Sequence, residues 1–416
     1  MSIKKLFYND FLFSLLNRGI SFVINIGSAI LLNRYLGPEL RGEFGYWQGI
    51  AFVASIILGF GIYHSYAYYK RQGEESLIQI YINLFTAQTL LFIILAIILS
   101  LISGSIFIGA VVFWTGFIIS FNNISFVIAI ENPRFRFVSI TVYTLLFFIL
   151  LLLLFLFTRA SLIWVFIIGT LSSFVYYIAC VVYLKIKPNP FKINIIWMKR
   201  AIIYGGFPML ALLLQTLNFR IDLFMLRPFV TSLALGYYVF GASIAELILI
   251  LPDSFREVLL SRTSRDDSQD AIVLSIKLSN ILMLFITAMA IVFGQFVIRI
   301  LFGNEFVPAY YIMLLLLLGI PGMGWYYILS TLFNVQGHRK FIFITMLSGV
   351  LLNVALNLVV IPVWGITGAA VTSIISYYLC GFIFITFYGK QIGRPFYKLL
   401  WLNYTDIKAI WSLIKI

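Results

Sequence analysis

The sequence predicts an all-α integral membrane protein of about 12 transmembrane helices, arranged as two six-helix lobes around a central cavity. Three observations lead there. The chain of 416 residues is 62% hydrophobic, with a mean hydropathy of +1.04. Its apolar residues gather into twelve stretches, each long enough to cross hydrocarbon about 30 Å thick, which takes roughly 20 residues of helix. Its basic residues fall unevenly on the two sides of those stretches, and such asymmetry sets orientation.

The spans run near 11–33, 43–68, 77–102, 106–130, 138–158, 161–184, 201–226, 233–255, 275–301, 308–335, 341–362 and 366–388. With the connections numbered alternately from a cytoplasmic N-terminus, 21 Lys and Arg fall on the inner side and 5 on the outer. Three more, Arg18, Arg220 and Lys277, lie inside spans. The split predicts an even span count, both termini in the cytoplasm and a multi-pass inner-membrane location. The first span is interrupted by Asn17, Arg18 and Asn25 and exceeds the length of a signal peptide's apolar core, so no cleaved leader is expected.

Composition excludes several classes. The connections are short, the longest near 185–200 and 256–274, so no soluble catalytic domain is expected. The net charge of +14 is read as topogenic charge facing anionic lipid, not as a nucleic-acid surface. Cys180 and Cys380 sit within spans as small packing residues. His64 and His338 have no metal-ligand neighbour at helical spacing and are read as interfacial or solvated. No metal or cofactor is expected, and no phosphate-binding Gly-x-x-x-x-Gly-Lys-Ser/Thr run is present.

Internal repetition supports the two lobes. Arg34-Tyr-Leu-Gly-Pro-Glu-Leu-Arg-Gly-Glu-Phe-Gly-Tyr links spans one and two, and Arg227-Pro-Phe-Val-Thr-Ser-Leu-Ala-Leu-Gly-Tyr-Tyr links spans seven and eight. With one inserted residue, Arg34 lies on Arg227, Gly42 on Gly236 and Phe44 on Tyr238. Six spans per half is an even number, so the repeats run parallel. The border is placed in the basic connection after Pro188 and Pro190: residues 1–190 form the N-terminal lobe, and 191–416 the C-terminal lobe with a short cytoplasmic tail. Gly205, Gly206 and Pro208 in span seven, and Pro321, Gly322 and Gly324 in span ten, suit either rocking helices or ordinary packing kinks.

Polar groups inside the spans point to a wet interior, because charges at a helix centre cost roughly 2.5–3.5 kcal/mol each on insertion scales. In span one Ser14, Arg18, Ser21, Asn25 and Ser28 recur at spacings of 4, 3, 4 and 3 and share one helical face. In span seven Gln215, Asn218 and Asp222 share a face in the same way. Arg220 and Asp222 are two apart and cannot meet on a helix. Asp222 therefore needs a partner elsewhere, and Arg18 of the equivalent span is a candidate. Glu246 is intramembrane in span eight, and Lys277 in span nine is near enough to the inner surface to snorkel. The charges either bridge the lobes structurally or line an anion-binding cavity, a role for which the planar, permanently charged guanidinium is suited.

Three motifs carry a resemblance. They are Arg34-Tyr-Leu-Gly-Pro-Glu followed by Gly42-Glu-Phe-Gly-Tyr; Arg220-Ile-Asp222 with Leu235-Gly-Tyr-Tyr, Glu246 and Leu251-Pro252; and Asn353-Val-Ala-Leu-Asn357 with Ile361-Pro362-Val-Trp-Gly365-Ile-Thr-Gly368-Ala-Ala. In this order, over essentially the whole chain, they resemble the multidrug/oligosaccharidyl-lipid/polysaccharide exporter superfamily. Within it they are most similar to the polysaccharide-transporter branch, the O-antigen and repeat-unit flippases. The resemblance implies twelve helices in two lobes. It also implies movement of a polyprenyl-pyrophosphate-linked oligosaccharide from the inner to the outer leaflet by alternating access, with no enzymatic step. The lipid II flippase branch usually carries two further C-terminal spans that this sequence lacks.

The expectations are then specific. Arg18, Asn25, Gln215 and Arg220 line the substrate cavity, while Asp222, Glu246, Arg34 and Arg227 are structural or gating residues. The partners are the lipid-linked oligosaccharide, membrane lipids and the polysaccharide polymerase machinery, and the chain acts as a monomer without nucleic acid. The alternative is a multidrug or cation antiporter of the same superfamily, for which Asp222 and Glu246 would supply the acids.

Overall fold

A computed structural model describes residues 3–74, 77–255, 268–403 and 406, with side chains from Asn17 onward except Arg18 and Ser268. Among the described residues all regular structure is helical. The α-helices are α1 (Ile3–Leu58), α2 (Tyr66–Arg71), α3 (Leu77–Ser103), α4 (Ile106–Glu131), α5 (Pro133–Phe157), α6 (Leu162–Tyr183), α7 (Ile195–Leu226), α8 (Ser232–Leu247), α9 (Ser268–Leu301), α10 (Tyr310–Val335) and α11 (Arg339–Gln391). Ten helices among these residues are long and apolar enough to cross a membrane.

Two of the ten are double. Helix α1 turns at Gly37, whose φ of 65° and ψ of 173° belong to a region that only glycine enters readily. Pro38 then restarts the helix with its φ already set. Helix α11 turns in the same manner at Gly365, with φ 53° and ψ −132°, three residues after Pro362. Counting each as two gives twelve helical segments, the number expected from hydropathy. Elsewhere polar residues end the helices: the Asn132 side chain accepts from Phe135 N–H at 3.0 Å with Pro133 beside it, and Thr231 accepts from Ala234 N–H at 3.3 Å.

The pattern of burial is that of a protein whose solvent is lipid. Large apolar side chains face outward, Ile102, Phe157 and Ile203 among them. Polar ones are buried, and many hydroxyls bond back to their own helix. Thr115 donates to Val111 O, Thr170 to Phe166 O and Ser172 to Ile168 O, each at 2.8 Å. In hydrocarbon no water is present to take that proton, so the carbonyl four residues earlier does.

The helices form two compact units. One holds residues 1–40 and 44–213, the other 41–43 and 214–416, so the division falls inside α7 and the basic connection 185–200 lies within the first unit. In the first unit α4 is more deeply buried than its neighbours. One aromatic core joins Phe44, Trp114 and Phe166, with ring centroids 5.1–6.3 Å apart. The span that follows Pro38 breaks at Phe60 and Gly61, which carries φ 62°, and resumes as α2. There Gly61 meets Gly205 of α7 backbone to backbone: a Cβ on either would collide with the other's carbonyl oxygen.

In the second unit α10 is the buried element, packed on α9, α11 and α8. Gly322 of α10 lies against α11, where a Cβ would stand 2.8 Å from Tyr377 O. Cys380 is fully buried opposite Gly349, a packing role. After α11 the chain folds back under the unit. Leu399 is fully buried, Asn280 Nδ2 donates to Leu400 O at 3.2 Å, and Lys277 Nζ lies 2.7 Å from Asp406 Oδ2. Lys277 is only 3% exposed. It does not snorkel, as its position in the sequence suggested; a carboxylate from the tail reaches it instead.

Candidate functional site

Arg220 of α7 and Glu246 of α8 come together in the second unit. Arg220 projects from the C-terminal part of α7, six residues before its end, and meets Glu246 of α8 through both arms of its fork, Nη1 to Oε1 at 3.1 Å and Nη2 to Oε2 at 2.8 Å. Two parallel charge-assisted bonds hold both planes in register. The pair is not dry: the side chains are 29% and 24% exposed. Arg41, grouped with this unit, lies within electrostatic reach of both and donates to Ser243 Oγ at 3.0 Å, one turn before Glu246. On another face of α7, Gln215 Nε2 donates to Tyr327 Oη at 2.9 Å.

Asp222 faces away from Arg220, as the spacing of two required. Its carboxylate accepts from Tyr238 Oη, from Ser373 Oγ at 2.8 Å and from Leu223 N–H at 2.8 Å. The partners that the sequence left open are therefore hydroxyls and an amide of its own unit. The Arg18 side chain lies outside the described residues. A chain of polar groups continues from there. Ser376 donates to Asn218 Oδ1 at 3.3 Å, Asn357 Nδ2 to Asn353 Oδ1 at 2.7 Å, and Thr372 Oγ1 reaches Asn357 Oδ1. Asn218, Asp222, Asn353, Asn357, Thr372, Ser373 and Ser376 are all within 1% of full burial. One carboxylate surrounded by carboxamide and hydroxyl oxygens is a donor set for hard cations. Among the described residues no cluster of three His, Cys, Asp or Glu side chains is placed to hold a metal.

At the turn between α7 and α8, Arg227 Nη2 lies 2.7 Å from Glu43 Oε1 and Arg227 Nη1 donates to Ser232 Oγ at 3.2 Å. Gly42 packs on Gly236: a Cβ on Gly42 would stand 2.6 Å from Gly236 N and strike Ser232 O. The two glycines aligned as repeat equivalents thus touch each other. Arg34, the equivalent of Arg227, is exposed at the end of the first span. Asn25 is exposed on α1. Its neighbours on that face are engaged: Ser21 pairs with Thr141 at 2.8 Å and Ser28 donates to Ile24 O at 2.9 Å.

Arg41, Tyr238, Asn353, Asn357, Thr372 and Ser373 are site residues that sequence reasoning did not select. A signal existed for some of them. Asn353 and Asn357 are four apart in an apolar run, and Thr372, Ser373 and Ser376 repeat at 3 and 4 in the next. Arg41 gave none, since at an outer turn it reads as a solvated charge.

No family model matches the chain, and no curated protein matches it. Solved structures do. A lipid II flippase MurJ in an inward closed conformation superposes with a TM-score of 0.75 at 16% identity, covering 94% of this chain and 89% of that one. An inward-facing multidrug resistance MATE transporter of the MOP superfamily gives 0.70 at 13% identity, covering 93% and 98%. The chain shares its fold with these two transporters. A further MOP transporter from Pyrococcus furiosus, described by the reverse polarity of its binding pocket, gives 0.59 at 12% identity, covering 93% and 94%. These neighbours are transporters and not enzymes, and at such identities the likeness extends to the fold alone.

Proposed function

We propose that this chain is a flippase. It moves a polyprenyl-pyrophosphate-linked oligosaccharide repeat unit from the inner to the outer leaflet, by alternating access, for surface polysaccharide synthesis. The observation that carries the reading is Arg220, a guanidinium within a spanning helix, six residues from its end, with both arms of its fork directed at one oxyanion and part of its surface open. A phosphate presents the same pair of oxygens as the Glu246 carboxylate. The likeness to a lipid II flippase supports a lipid-linked substrate.

In this reading Arg220 and Gln215 of the second unit, and Arg18 and Asn25 of the first, contact the substrate. Asp222, Glu246, Arg34 and Arg227 hold or gate the conformations, and 190/191 is the border of the two topological halves. The chain lies in the inner membrane as a monomer with both termini cytoplasmic, beside the polymerase machinery. A sugar headgroup cannot cross hydrocarbon without losing its hydrogen bonds, so a polar path is needed. An inside-negative potential then favours outward movement by about 2.3 kcal/mol per charge per 100 mV.

Glu246 and Asp222, together with the likeness to MATE transporters, favour a second reading, a multidrug or cation antiporter. The deciding experiment is deletion of the gene in a strain with no second flippase. Trapped lipid-linked repeat units on the inner leaflet and loss of the matching surface glycan support the flippase. Normal glycan with lost resistance to cationic drugs moves the assignment to the antiporter. Labelling of a cysteine at position 190 by an impermeant reagent from outside intact cells would overturn the topology.

A further inference from the structure

The second span breaks beside a polar cavity of the first unit. Helix α1 ends at Leu58, Phe60 and Gly61 take φ of 52° and 62°, and a single 3₁₀ turn, Ile62–Ser65, follows. A phenylalanine in the left-handed region is strained, and such strain gathers at functional sites. The cavity lies between this break, α4 and α7, and is narrow, with an empty volume of about 310 Å³. Ser55, Tyr63, His64, Asn122 and Asn123 supply its polar lining, and α7 contributes only apolar side chains. Among the described residues no Asp, Glu, Lys or Arg lines it.

Two buried polar atoms of this lining have no hydrogen-bond partner among the described residues, Asn123 Oδ1 and His64 Nε2. Asn123 is only 1% exposed, and its direction is forced. The Leu58 carbonyl can only accept, so Gln88 turns its Nε2 toward it, at 2.7 Å. Gln88 Oε1 then accepts from Asn123 Nδ2 at 3.1 Å, which leaves Asn123 Oδ1 as an acceptor for the cavity. His64 is held between Tyr63 and Phe126, with ring centroids 4.1 and 5.9 Å away. Its sequence position suggested an interfacial or solvated ring, yet Nε2 is buried. Unserved polar atoms in a dry interior cost a desolvation penalty, so a pair of them facing one cavity points to a ligand.

The lining also selects the ligand's class. It offers no carboxylate to a cation and no guanidinium or ammonium to a phosphate. Hydroxyls donate and accept alike, so a ligand dense in them serves the Asn123 acceptor, and serves His64 Nε2 in either tautomer. Tyr63 adds an aromatic face for the apolar side of a ring. A sugar ring has all of these properties: it is neutral, rich in hydroxyls and apolar on one face. We propose that this cavity is a carbohydrate subsite, in which Asn123 and His64 hold the edge of one sugar ring of the lipid-linked headgroup. The inference rests on the flippase reading. It adds to that reading a neutral recognition of the glycan, by residues that the charged groups left out of account.

The test uses the lipid-linked repeat unit that accumulates in the deletion strain, bound to the full chain in lipid nanodiscs, with undecaprenyl diphosphate as the sugar-free comparison. Wild type is expected to prefer the glycosylated lipid by about tenfold, the worth of two modest hydrogen bonds. His64→Phe keeps the ring and its stacking but removes Nε2. It is expected to abolish most of that preference while the melting temperature holds or rises, because an unserved buried nitrogen is gone. His64→Gln returns a polar group at similar reach and restores part of the preference. Ile119→Phe, which fills the cavity from its apolar wall, is expected to remove the preference independently. No preference in wild type, or an equal preference in wild type, His64→Phe and Ile119→Phe, overturns the subsite and leaves the flippase reading in place. A lower melting temperature in His64→Phe, with binding of both lipids lost and no rescue by His64→Gln, makes His64 structural and also overturns it. Absence of any accumulated lipid-linked repeat unit in the deletion strain overturns the flippase reading, and the subsite with it.

Discussion

Asp406→Asn tests how the second unit keeps a lysine inside a spanning helix. Lys277 sits nine residues into α9 with its side chain 4% exposed, and its ammonium lies 2.7 Å from Asp406 Oδ2. Asp406 is itself fixed, because Asn403 N–H donates to Oδ2 at 2.8 Å and Asp406 N–H donates to Asn403 Oδ1 at 3.0 Å. Removing one partner of a fully buried pair costs about 3–5 kcal/mol, since the other charge stays uncompensated. Asp406 is 18% exposed, so water offsets part of that, and about 2–3 kcal/mol is expected for Asp406→Asn. At about 2–4 °C per kcal/mol for a unit of 150–250 residues, the melting temperature falls by about 4–12 °C. Lys277→Met alone leaves the less buried partner behind and costs less. The double variant Lys277→Met with Asp406→Asn recovers much of the loss, with a coupling of about 1.5 kcal/mol or more in a double-mutant cycle. The assay is thermal unfolding in detergent at fixed lipid content. A shift under about 1 °C for Asp406→Asn, with additive single variants, would mean that Lys277 reaches water after all.

Three more expectations follow from the same contacts. In reconstituted vesicles Arg220→Lys keeps a cation but loses the second arm, so lipid-linked sugar translocation drops by about tenfold, while Arg220→Ala removes nearly all of it; equal rates in wild type and Arg220→Ala would refute the anchor. Asp222→Ala strands the buried Tyr238 hydroxyl and lowers stability by about 1–3 kcal/mol, and because Asp222 has its own partners, Asp222→Asn and Arg18→Gln combine additively in an export assay; strong non-additivity would restore a direct pair. Gly205→Ala, whose Cβ strikes Gly61 O, destabilises the protein, whereas Gly206→Ala, whose Cβ meets nothing within 4 Å, is neutral or gains up to about 1 kcal/mol of helix propensity; thermal melting separates the two, and equal shifts would refute the close approach.

Much of this molecule was legible in the chain itself. A span needs roughly 20 apolar residues whatever surrounds it, so twelve stretches gave twelve helical segments without reference to packing. The turns at Gly37 and Gly365 were also legible, because each falls in the break between two apolar stretches, with Pro38 next to the first and Pro362 three residues before the second. Helical spacing correctly set Gln215, Asn218 and Asp222 on one face and Arg220 on another, since a helix allows no other placement of residues two apart.

Partner choice was not legible. Sequence spacing says which side chains share a face but not what stands opposite. Spacing left Asp222 with Arg18 as one candidate partner; Tyr238 and Ser373 of its own unit donate to it, contacts that no spacing pointed to, while the Arg18 side chain lies outside the described residues. Lys277 was read as reaching water, yet a residue 129 positions away supplied its counter-charge. Arg220 was read as lining the cavity, and its pairing with Glu246 through both arms of the fork was not foreseen. The sequence by itself determined the spans, their faces and their turns, because hydrocarbon imposes those one helix at a time. Only the tertiary structure decided the pairing of buried charges, because each depends on which of several polar groups from other helices arrives within hydrogen-bond reach.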